Sequence, residues 1–210
     1  YMSIVYLGND KVVVCFKNGQ KGTSIVGTIS GTSVTWESPV DFNASANVNY
    51  IGLVVVDTDK VVVCYQNTNN SGYGSSQVGT VTGTSISWGS TEIFNSGNSW
   101  QMSLAVVDTN KIVVCFKNSN NSNKGTSALG VVSGTSVAWG SLVLYFDAEA
   151  EHVGITNFGT GVLAACYQSG IPYAILGSVA GTTLTWDTPL VTGNARSDYN
   201  QVIQVDTGVA

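Results

Sequence analysis

Few residues in this chain could carry covalent chemistry. The single acidic cluster, DAEAEH, places Asp147, Glu149 and Glu151 on alternate residues beside His152, the sole histidine. In an extended strand such carboxylates share one side, roughly 6.5–7 Å apart. Inverting glycosidases use that separation, and calcium takes the same ligands. A solvated acidic loop accounts for the pattern without any chemistry. One histidine leaves few routes to a Ser–His or Cys–His nucleophile. Arg196 is the only arginine, which disfavours the several arginines with which sialidases hold a carboxylate. The expectation is a protein without catalytic residues, cofactor or metal.

The cysteines point the same way. Cys15, Cys64, Cys115 and Cys166 fall once per internal repeat, at matching places in one strand, with no CxxC pair among them. Packed sheets lie about 10 Å apart, whereas a disulfide needs Cα atoms within roughly 4.4–6.8 Å. The four are expected to be small buried hydrophobes.

Non-covalent recognition has better candidates. The segments FNASANVNY and FNSGNSWQ carry Tyr50 and Trp100 near their ends, and Tyr199 holds the matching place one unit on. Around them lie Asn47 and Asn98, and the amide-rich loops QNTNNSGYGSSQ and KNSNNSNKGTS supply Asn69 and Asn120. An aromatic ring beside amide donors suits a sugar, which offers a C–H face rimmed by hydroxyls; such rings also bury well with a wet polar tip. The competing reading has these rings plugging gaps between repeats. Asn43, Asn69 and Asn120 also stand in Asn-X-Ser sequons, a frequent chance match in so Asn- and Ser-rich a chain.

The elements that position these residues come from repetition. SGTSVTW at 30–36 returns as TGTSISW, SGTSVAW and AGTTLTW, with its glycine at Gly31, Gly83, Gly134 and Gly181. A second phrase keeps the same beat: KVVVCFKN, KVVVCYQN, KIVVCFKN and VLAACYQS. A period near fifty residues is that of propeller blades. Each unit reads as four short strands. In the first, SIVYL is strand A, VVVCF strand B, TSIVGTI strand C and VTWESPVDF strand D. β-branched runs and closely spaced turn residues favour strands throughout.

Strand B is apolar at consecutive positions, which requires burial on both faces. Strand D alternates, with Val34, Trp36, Val40 and Phe42 on one side, and carries Pro39 and Pro189 as an edge strand can. The Gly-Thr-Ser turn closes the C–D hairpin, and the tryptophan after it is expected to pack against the next blade. The fold class is therefore all-β: a β-propeller of four-stranded antiparallel blades at 1–49, 50–100, 101–151 and 152–198. Residues 199–210 repeat a strand A, the start of a further blade or a strand exchanged with a neighbouring molecule. A–B and C–D turns emerge at one end of each blade. The variable B–C and D–A loops emerge at the other, where binding loops on a rigid scaffold belong.

Composition narrows the partners. Charged residues make up 10% of the chain and the net charge is −5, so nucleic acid, whose phosphates demand clustered Lys and Arg, is disfavoured. No apolar run approaches the ~20 residues of a membrane helix. The repeat phrases VGTVTGTSISWGS and FNSGNS resemble tandem repeats in tail-fibre and other structural proteins of marine bacteriophages, most clearly in the second and third units. The resemblance implies an extracellular or virion-surface adhesive protein and supplies no functional residues. The expected function is binding of a cell-surface glycan or another receptor through the B–C and D–A loops. The alternative is a structural spacer or filament module that self-associates through its C-terminal strand.

Overall fold

The computed structural model describes residues 1–45, 47–159 and 161–193, with the backbone alone for Tyr167. Tyr199, Arg196 and the surplus strand of the fifth repeat lie outside the described residues. The chain builds four antiparallel blades, the architecture of a β-propeller. Blade 1 comprises β1 (Met2–Gly8), β2 (Lys11–Asn18), β3 (Lys21–Ser30), β4 (Ser33–Trp36) and β5 (Val40–Asn43). Blade 2 comprises β6 (Val48–Asp57), β7 (Lys60–Asn67), β8 (Tyr73–Thr82), β9 (Ser85–Trp88) and the first part of β10 (Glu92–Asp108). Blade 3 takes the rest of β10, then β11 (Lys111–Asn118), β12 (Lys124–Ser133), β13 (Ser136–Trp139) and β14 (Val143–Glu149). Blade 4 holds β15 (Glu151–Asn157), β16 (Val162–Gln168), β17 (Ile171–Ala180), β18 (Thr183–Trp186) and β19 (Leu190–Val191).

Strands A, B and C fall where the repeat places them, and the C–D hairpin is as expected. Ser30 pairs Ser33 across a two-residue Gly-Thr turn with Gly31 at φ 58°, and Gly83, Gly134 and Gly181 repeat that positive φ. A side chain there would be strained, so the glycine is a backbone requirement. Strand D differs from the expectation. It breaks into two halves that both pair strand C, with Pro39 and Pro189 in the break rather than in a ladder. Strand B is buried on both faces in blades 2 and 3, over residues 61–66 and 112–118.

Trp88, Trp139 and Trp186 each pack against the preceding blade, not the next one. Trp88 Nε1 donates to Ser24 Oγ of blade 1 at 3.0 Å, Trp139 to Ser76 of blade 2 at 2.9 Å, and Trp186 to Ser127 of blade 3 at 2.9 Å. The serine hydroxyls donate in turn to the outer-strand carbonyls of Val40, Glu92 and Val143. Each indole also lies over a strand C glycine of its own blade, where a Cβ would clash at 2.6–2.8 Å. It meets an aromatic ring of the preceding blade as well: Phe42 at 5.5 Å, Phe94 at 5.3 Å and Tyr145 at 5.6 Å. The repeated phrase thus writes the joint between blades. The direction of packing depends on the twist of the sheets, which periodicity does not encode.

Cys166 also departs from its expected place. Ser3, Gly52 and Ser103 pair Cys15, Cys64 and Cys115, but their counterpart Gly154 pairs Ala165. One residue of slip turns a side chain to the other face of a sheet, so Cys166 shares the core between blades 3 and 4 with Cys115. All four thiols are buried and free, and burial pushes them up, Cys166 to about 12. None is a thiolate at neutral pH.

Candidate functional site

In blades 1–3 the first polar residue after the apolar run of strand B lies at the loop end of the strand. Lys17 pairs Gly22, Gln66 pairs Gly74 and Lys117 pairs Gly125, so the three occupy one structural place. Each reaches the crossing into the next blade: Lys17 to Asn49, Gln66 to Asn98, and Lys117 to Glu149 and Glu151. There the backbone shifts register between Asn49 and Gly52, Trp100 and Ser103, and Glu151 and Gly154. The pivots of these shifts, Tyr50, Gln101 and His152, all adopt left-handed φ of 48–50°. A bulky residue in that region holds local strain, and here it recurs at every joint.

These pieces enclose a crevice of about 390 Å³ between blades 2 and 3, lined by Asn49, Tyr50, Gln66, Thr68, Ser71, Gly72, Asn98 and Trp100. No lining side chain carries a formal charge. A hydrogen-bond chain runs through its wall. Lys17 Nζ donates to Asn49 Oδ1 at 2.9 Å, Asn49 Nδ2 to Gln66 Oε1 at 3.1 Å, and Gln66 Nε2 to Asn98 Oδ1 at 2.6 Å. Trp100 Nε1 closes it on the same oxygen at 2.7 Å. Gln66, only 4% exposed, has both ends of its amide engaged and is fixed in orientation, as a buried amide must be. Asn98 Nδ2 has no acceptor among the described residues and remains a donor for a ligand. Gly72 permits this arrangement, since at φ 77° a Cβ would lie 2.2 Å from Asn98 Oδ1.

Tyr50 and Trp100 do not hold matching places in their units. Trp100 stands where Asn49 does, each paired with the strand B residue Lys117 or Gln66. The fold nevertheless brings the two rings together, stacked at 6.4 Å and 21°. Tyr1 flanks Tyr50 at 4.7 Å, and the Lys117 ammonium lies 6.0 Å from the Trp100 ring. Burial, then the neighbouring Tyr1 hydroxyl, pushes the Tyr50 phenol up to about 12, so it stays a neutral hydroxyl at any physiological pH.

The asparagines divide by role. Asn69 Oδ1 accepts from Asn47 N at 3.4 Å and its Nδ2 donates to the Ser45 carbonyl at 2.8 Å, while Asn120 Oδ1 accepts from Asn98 N at 2.9 Å. Both brace a B–C loop against the neighbouring D–A loop and do not line the crevice. Asn47 offers its backbone carbonyl to Thr68. Of the sequons, Asn43 is buried with its Nδ2 donating to the Tyr65 hydroxyl at 3.0 Å. The acidic cluster is ion-paired: Lys124 holds Asp147, and Lys117 holds Glu149 at 2.7 Å and Glu151 at 3.7 Å. Gln66, Asn49 and Lys117 were not among the sequence candidates, although a polar residue ending an all-apolar run at one place per repeat is a usable signal.

No protein-family model matches the chain, and no curated protein sequence does either. Solved structures do. A triple arginine-to-alanine mutant of AofleA from Arthrobotrys oligospora superposes with a TM-score of 0.63 at 11% identity, over 95% of this chain and 59% of that one. An asparagine-to-glutamine mutant of the Aleuria aurantia lectin AAL superposes with a TM-score of 0.55, at 14% identity in complex with Fucα1-6GlcNAc and 13% with α-methyl-L-fucoside. Each AAL match covers 88% of this chain, and 58% and 57% of the lectin respectively. The likeness is one of fold. The chain spans under two thirds of the length of each of these structures.

Proposed function

We propose that this chain is a non-catalytic glycan-binding module that holds an uncharged saccharide in the crevice between blades 2 and 3. The observation that carries the reading is the composition of that crevice. Two stacked aromatic rings, a pre-oriented amide chain and the free Asn98 Nδ2 surround a space free of formal charge. Rings bind the C–H face of a sugar, and fixed amides read its hydroxyls at little ordering cost. The glycan-bound lectins of the same fold support the class of ligand. Their fucosides make natural first probes, among others on a broad array. Extracellular or virion-surface display is part of the proposal and rests on the repeat phrases alone.

Trp100→Ala and Tyr50→Ala test it. Array binding by the parent chain, followed by calorimetry, is expected to show one site, with either substitution weakening it by about tenfold or more while the circular dichroism spectrum stays unchanged. Absence of binding to any neutral glycan at multivalent display would turn the reading to a structural spacer.

A further inference from the structure

No described residue covers the side of blade 1 that faces away from blade 2, and the rest of the molecule shows what covers such a side. Wherever a blade meets the one before it, three strand positions are buried. Ile51, Met102 and Val153 are 8–9% exposed, Leu53, Leu104 and Ile155 5–9%, and Ile86, Val137 and Leu184 4–6%. Their blade 1 counterparts Met2, Ile4 and Val34 are 70%, 59% and 42% exposed, and Trp36 is 46% exposed. Together with Val14, Phe16 and Ile25, Met2, Ile4 and Trp36 line an apolar concavity of about 480 Å³. A contiguous apolar surface of this kind marks an interaction site.

We infer that this face docks a further blade of the same repeat, carried by polypeptide other than residues 1–193. That blade presents a strand C serine hydroxyl to Trp36 Nε1 and an outer-strand aromatic ring to its indole. The three internal joints supply the specification, since each pairs an indole with a serine at 2.9–3.0 Å and a ring at 5.3–5.6 Å.

Blade 4 does not meet it. Register places Ala174 where blades 1–3 have Ser24, Ser76 and Ser127, and puts Thr192 in the place of Phe42. Among the described residues, the exposed side of blade 4 therefore offers Trp36 neither that serine hydroxyl nor that ring. That argues against head-to-tail pairing of two copies and against closure of blade 4 onto blade 1. Residues 194–210 are too few for a blade of about fifty. The inference is independent of the glycan reading.

The test adds a copy of residues 50–100 ahead of Tyr1 in the full chain, so that Tyr1 takes the place Gln101 has after Trp100. The Trp36 indole N–H, identified by loss of its NMR signal in Trp36→Phe, should then exchange at least about tenfold more slowly, and Tm should rise. In a second fusion the added copy carries Ser76→Ala and Phe94→Ala, which mimic blade 4, and most of that protection should be lost. Equal protection by both copies, or protection by neither, overturns the inference. Sedimentation of the unmodified chain gives an independent reading. Self-association abolished by Trp36→Ala would make a second copy the occupant and overturn it too, while a monomer agrees with it.

Discussion

The joint between blades 2 and 3 and the joint between blades 3 and 4 share a backbone plan and oppose each other in chemistry. Gln66 in the first stands where Lys117 does in the second, Asn98 where Glu149 does, and Trp100 where Glu151 does. The first joint is closed by neutral amides and an indole. The second is closed by an ammonium, 6% exposed overall, held between two half-exposed carboxylates. The buried Gln66 amide and the buried Lys117 ammonium each find partners, as buried polar groups must. Only the neutral joint leaves a free donor beside open aromatic surface; in the charged one the polar groups are consumed by one another. Repetition here conserves the scaffold while allowing each joint its own chemistry.

The largest way to sharpen that contrast is to rewrite one joint as the other. Lys117→Gln with Glu149→Asn and Glu151→Trp copies the residues of the neutral joint onto the charged one. Calorimetry with a glycan that the parent binds at one site should then report two. Unchanged stoichiometry would mean that Tyr50, whose counterpart in the second joint is Gln101, contributes more than the three residues exchanged.

A smaller effect comes from breaking the charged joint alone. Glu149→Gln with Glu151→Gln leaves Lys117 nearly buried without its counter-charges. Removing one side of a fully buried pair costs about 3–5 kcal/mol, and the solvent access of these carboxylates reduces that to about 1–3 kcal/mol. Urea denaturation should show the loss, and the affinity of the neutral crevice should stay within about twofold. A matching drop in affinity would show that the Lys117 ammonium beside Trp100 orients the indole for the ligand.

Strand assignment and the loop face were legible because glycine turns and β-branched runs recur at fixed offsets, and those signals are local. The misreadings share one cause: spacing along the chain does not fix which way a side chain points between two sheets. Cysteine spacing aligns Cys166 with its fellows, yet β15 and β16 pair one residue out of step. The strand C pattern GTSIVG, GSSQVG, GTSALG against PYAILG carried that departure in plain view, since it loses the serine as well as the first glycine. Tyr50 and Trp100 were found as aromatics near a joint, but their stacking depends on the left-handed turn at residue 50. Gln66, the first polar residue after the apolar run at 61–65, reads as the end of a strand, whereas burial makes it the hinge of the hydrogen-bond chain.

The gentlest probe of the neutral crevice is alkaline pH. The Tyr50 phenol is held up to about 12, first by burial and then by the Tyr1 hydroxyl, while an unfolded tyrosine ionises near 10. Because the folded state favours the neutral phenol, this group's contribution to stability is complete below about pH 10. It fades as pH rises from there towards 12, where the folded protein also releases the proton. Glycan affinity should accordingly be flat up to about pH 10 and fall only above it, for as long as the fold persists. Tyr50→Phe should remove the slow-titrating phenol from an ultraviolet difference titration and flatten that final fall. An affinity that declines with a midpoint near pH 10 would place the Tyr50 hydroxyl in open water, and the crevice would then be wetter and less pre-organised than its neighbour's ion-paired joint.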